Sequence, residues 1–171
     1  MLFDRQTLEQ IADWQKVQPI PVARAESLLE KLPTILGTTV TILHIEKSDT
    51  GQSNYDYFFV CAGDKRYGRL TGYGVFVSSL VPIVAITPQS VDLSPNSLCW
   101  SGIKPSDVIE PGMCYGMLPN ALFALFAETE YRLLSRADAL TKLPEGIQPY
   151  EYCSGEEPWD TVCHLLFANT D

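Results

Sequence analysis

Two histidines, five cysteines and one run of acids and aromatics carry whatever chemistry this chain has beyond packing. His44 lies in TILHIE, two residues before Glu46, and His164 lies in TVCHLLFA between Val162 and Leu166. A general base needs an imidazole with one nitrogen oriented by a carboxylate, and His44 with Glu46 supplies those residue types. On a strand, residues two apart stand roughly 6–7 Å from each other, too far for a direct bond. The spacing therefore favours a structural role for His44, and the apolar flanks of His164 favour the same there.

Cys61, Cys99, Cys114, Cys153 and Cys163 are odd in number and contain no CxxC. They read as free thiols in a reducing cytoplasm. Cys153, Cys163 and His164 have zinc-ligand identities, but Cys163 and His164, as neighbours on a strand, would point to opposite faces. Nothing beside Cys99 or Cys114 in sequence would lower a thiol pKa. No nucleophile, base and orienting group fall together, so no metal, cofactor or catalytic residue is expected, and the reading leans away from an enzyme.

The run YEYCSGEEPWD, residues 150–160, is the most suggestive. Glu151, Glu156, Glu157 and Asp160 alternate with Tyr150, Tyr152 and Trp159, with no basic residue between them. Aromatics offer contact area at low entropic cost, while carboxylates select a cationic surface and speed encounter. The other reading is a polar loop whose aromatics fold back onto the core. A second candidate is a pocket at Gly72, Tyr73 and Gly74, bordered by Trp100 and Tyr115. Two glycines two apart leave a flat strip that a helix, a ring or a ligand can approach. The turn at 63–69 gathers Lys65, Arg66 and Arg69 but lacks the GK[ST] of a phosphate loop, so it reads as a solvated hairpin tip.

The elements that would position these residues centre on 55–87, the densest aromatic and β-branched run in the chain. Strands apolar on both faces must be covered on both faces. Residues 38–47 read as a first strand, 55–62 as a second, and Pro82 as a break between later ones. Amphipathic helices fit from Asp4 or Thr7 to about Lys16 and over 22–32, the latter stopped by Pro33. Residues 88–116 read as irregular, with a short strand near 97–100 and a helical turn within 106–109. A buried helix is expected over 121–134, a short one over 136–143 after Ser135, and a last interior strand over 161–168. The fold class is α+β: one compact domain over 1–171, with a mainly antiparallel sheet of about five to six strands. Two N-terminal helices and the helix near 121–134 cover it.

With 46% hydrophobic and 19% charged residues, the chain can build a packed core. A net charge of −9 argues against nucleic acid and against anionic membranes as partners. No signal peptide or run of eighteen apolar residues is visible, so a cytoplasmic location is expected. Three function classes follow: a non-enzymatic module that binds a basic protein, as an inhibitor or immunity-type protein would; a small-molecule-binding or enzymatic domain; and a structural subunit of a larger complex.

Overall fold

The computed structural model describes residues 3–13, 23–48, 53–149, 152–153 and 158–169. Its centre is an antiparallel meander of β1 (Val40–Glu46), β2 (Tyr55–Ala62), β3 (Gly68–Ser78), β4 (Ile83–Leu93) and β5 (Leu98–Trp100), in that spatial order. A sixth strand, β6 (Arg132–Leu133), runs parallel to the start of β4. Helices α1 (Arg5–Ala12), α2 (Ala23–Leu29), α3 (Leu32–Leu36), α4 (Met117–Ala127), α5 (Arg136–Ala139) and α6 (Val162–Leu166) accompany it. A two-stranded ladder joins β7 (Tyr152–Cys153) to β8 (Ala168–Asn169). The architecture is α+β. Among the described residues, no helix is long and apolar enough to cross a membrane.

Strand β2 explains the layering. Every residue from Tyr55 to Cys61 is buried, because alternate side chains enter two different cores. Tyr55, Tyr57 and Phe59 pack with Leu8 and Ile11 of α1 and with Leu166 and Phe167 at the end of the chain. Phe58 and Val60 face the other way, onto Leu28 and Leu29 of α2 and Phe123 and Phe126 of α4. Each fully buried large side chain stabilises the fold by roughly 1.5–3 kcal/mol relative to exposure.

Several boundaries differ from the sequence reading, each for a physical reason. The helix expected over 121–134 is α4, which begins at Met117 with Pro119 in its first turn, where the missing N–H is no loss. It stops at Ala127, where Thr129 turns back to donate to the Phe126 carbonyl at 2.7 Å and frees Arg132 and Leu133 for β6. Pro33 starts α3 rather than ending α2. The helix after Ser135 is one turn long, ending at Ala139. Of the first helix, α1 ends at Ala12 with Asp13 as C-cap, and 14–16 lie outside the described residues.

The run 161–168, expected as an interior strand, is mostly helix: α6 is buried on all sides. A short apolar run carries no period to separate buried helix from buried strand. Strand β4 also continues through Pro88, where an irregular segment was expected. Val84 and Ile86 aim their carbonyls outward to Leu134 N and Ile109 N. Pro88 shares that orientation, so its absent N–H falls on the outer edge and no ladder bond to β3 is lost.

Candidate functional site

The first polar cluster forms where β1, β2 and α2 meet. His44 pairs across the ladder with Phe58, and their rings stack with centroids 4.1 Å apart. Asp56 stands on the same face two residues before Phe58, and a register shift between His44 and Glu46 brings the strands into reach. His44 Nε2 lies 2.5 Å from Asp56 Oδ1, while the Ser48 hydroxyl donates to Oδ2 at 2.5 Å and the Ser48 amide at 3.3 Å. His44 Nδ1 faces Glu26 of α2 at 3.8 Å. The orienting acid absent from the sequence reading is therefore Asp56, not Glu46.

The order of groups decides what this cluster can do. In a nucleophilic triad the imidazole lies between hydroxyl and carboxylate; here the carboxylate lies between hydroxyl and imidazole. Ser48 cannot pass its proton to His44, and Glu26 occupies the approach to the outer ring nitrogen. The arrangement is a clamp on the chain leaving β1. Sequence reasoning missed Asp56, Ser48 and Glu26. The available signal was Asp56 itself, a lone carboxylate in a strand apolar on both faces, which must find partners.

His164 sits on α6, not on a strand, with Nδ1 2.9 Å from the Thr161 hydroxyl. Burial pushes its pKa below the ordinary 6.5; nearby Asp160 opposes this and Lys142 reinforces it. Burial thus favours its neutral form. Cys61 and Cys163 are buried, Cys114 is half-buried and Cys99 is exposed, all as free thiols. Burial raises the Cys61 pKa, with the Thr41 hydroxyl and the Arg66 charge pulling the other way. The side chain of Cys153 lies outside the described residues. Among the described residues, no three His, Cys, Asp or Glu side chains are placed to hold a metal ion.

The glycine strip is filled by the protein's own rings. A Cβ on Gly74 would stand 2.8 Å from Gln89 Cγ, 2.8 Å from Phe76 Cε2 and 3.0 Å from Tyr57 Cε2. Trp100, pairing opposite Val91, reaches over this strip to Tyr57 at a centroid distance of 4.5 Å. Tyr57 itself stacks on Phe76 at 4.5 Å. Its hydroxyl is buried without a hydrogen-bond partner among the described residues, and burial raises its pKa, with Tyr55 adding to the effect. Tyr73 packs into the opposite core, and Tyr115 is 96% exposed. The structure thus brings Gly74 and Trp100 together and leaves Tyr73 and Tyr115 apart from them.

Of the acidic and aromatic run, Tyr150, Glu151, Glu156 and Glu157 lie outside the described residues, as does the side chain of Tyr152. Trp159 is half-buried, and Asp160 pairs with Lys142. Both ends of the run are anchored. Tyr152 and Cys153 pair with β8, while the Asp160 carbonyl accepts from Leu143 N at 2.8 Å and Val162 N donates to Thr141 at 2.9 Å. Comparison with family models, curated proteins and solved structures finds no match.

Proposed function

We propose that this chain is a non-enzymatic binding module for a basic protein, of the inhibitor or immunity type, and that residues 150–160 contact the partner. The observation that carries this reading is the anchoring of that run at both ends, by β7–β8 at one side and by the Lys142 to Thr161 bridge at the other. Fixing a connection at its two feet lowers the ordering cost of binding through it. The chain's −9 charge would steer a cationic surface toward it. The order of Ser48, Asp56 and His44 supports a binding role over acid–base catalysis.

The test is affinity capture from the native host with wild type and with Glu156→Lys/Glu157→Lys, at low and high salt. A basic partner should be retained by wild type, released by salt and lost in the double variant. Equal capture by both proteins, or an acidic partner, would overturn the proposal.

A further inference from the structure

Strands β2 and β3 part company before their hairpin closes. Their register runs from Tyr55↔Ser78 to Val60↔Tyr73 and stops there. Beyond that point Cys61 and Ala62 stay with Thr41 and Val40 of β1, while Gly68 to Gly72 stay with β4. The two strand ends therefore splay, and a cavity of about 500 Å³ fills the fork. Its lining is the two strand ends and the loop between them, including Cys61, Asp64, Arg66, Arg69 and Thr71.

The fork is built into the backbone. At its base β3 passes so close to β2 that a Cβ on Gly72 would meet the Val60 carbonyl oxygen at 2.2 Å. Gly63 and Gly68, at φ 93° and 105°, take left-handed conformations that favour glycine at either end of the loop. The Gly63 amide donates to Thr39 and the Thr41 hydroxyl donates to the Gly63 carbonyl, each at 2.8 Å, which fixes one wall to β1.

Two guanidiniums meet at this fork in a chain whose net charge is −9. Arg5, Arg24 and Lys142 are each paired with a carboxylate. Arg66 and Arg69 make no ion pair or side-chain hydrogen bond among the described residues, although Asp64 stands in the same loop. Two arginines without an ion pair among the described residues line one half-enclosed polar cavity, and guanidinium donors are suited to a dianion. The volume exceeds what a bare oxyanion fills and lies within the range of small-molecule sites. We infer that the β2–β3 fork binds a small phosphorylated molecule, with Arg66 and Arg69 on the phosphoryl group and the strand ends around the remainder.

This site is independent of the 150–160 surface, so either proposal can fail alone. The experiment is an amide-resolved NMR titration of the full chain with inorganic phosphate, a hexose monophosphate, the unphosphorylated hexose and acetate. Saturable shifts confined to 61–72 are expected with the hexose monophosphate below about 10 mM, and none with the hexose. Equal affinity for inorganic phosphate would overturn the proposal, since the strand ends would then hold nothing beyond the anion. Arg66→Gln/Arg69→Gln should weaken binding about tenfold or more, and Asp64→Asn should tighten it. Both arginines are exposed, so the double variant keeps its fold, checked by an unchanged amide spectrum elsewhere. Lys31→Gln, which removes one positive charge from α3's N-cap, should leave binding unchanged. Acetate binding as tightly as phosphate, no shifts at about 10 mM, or an unaffected arginine variant would each overturn the site.

Discussion

His44 Nε2 lies 2.5 Å from Asp56 Oδ1, and this contact lets a carboxylate at 4% exposure remain in a strand that is otherwise apolar. Ser48 supplies the second oxygen's partners. Asp56→Ala would strip His44 and Ser48 of their acceptor at once. It should cost roughly 3 kcal/mol, whereas Asp56→Asn, which keeps an acceptor, should cost about half of that. Urea unfolding at constant slope measures both. A loss below about 0.5 kcal/mol for the alanine variant would show that the clamp does not hold the strands.

His164 makes stability depend on pH. Its folded pKa lies below the ordinary 6.5, so the unfolded chain binds the proton more readily than the native one. The stabilising contribution is complete above 6.5 and is lost as pH falls from there through the folded value. His164→Gln should flatten the acid-side decline when unfolding midpoints are compared between pH 7 and about 5. Parallel curves for the two proteins would contradict the neutral buried ring.

The two strand glycines differ in what surrounds them. Gly74→Ala pushes against side chains of Gln89, Phe76 and Tyr57, an overpacking expected to cost about 1–3 kcal/mol. Gly72→Ala meets the Val60 backbone oxygen, which cannot rotate away, so its loss should be larger. Thermal midpoints of the two variants give the ranking, and the reverse order would place the close approach elsewhere.

Removing the Tyr57 hydroxyl should not harm the protein. The group is buried and has no partner among the described residues, so Tyr57→Phe relieves an unmet desolvation cost and should be neutral or stabilising by about 1 kcal/mol. A clear drop in the unfolding midpoint would reveal a hydrogen bond that the ring depends on.

What the chain determines by itself is the layering. Residues 55–62 are apolar at both odd and even positions, so they demand cover on two faces whatever the topology, and helices on both sides supply it. A strand near 97–100, a turn within 106–109 and caps at Asp4 or Thr7 and at Ser135 are legible from local backbone chemistry; the structure has the strand at 98–100, starts the turn one residue earlier at 105–107, and uses Asp4 as the first cap. Tertiary structure decided the rest. It chose helix for the unperiodic run 162–166 and directed the Pro88 nitrogen to an outer edge. It also set His44 against Asp56, twelve residues away, and opened β2 from β3 beside Arg66 and Arg69. Those outcomes depend on cross-strand register and on which edge each backbone group faces. Register is a relation between two segments, and neither segment encodes it alone.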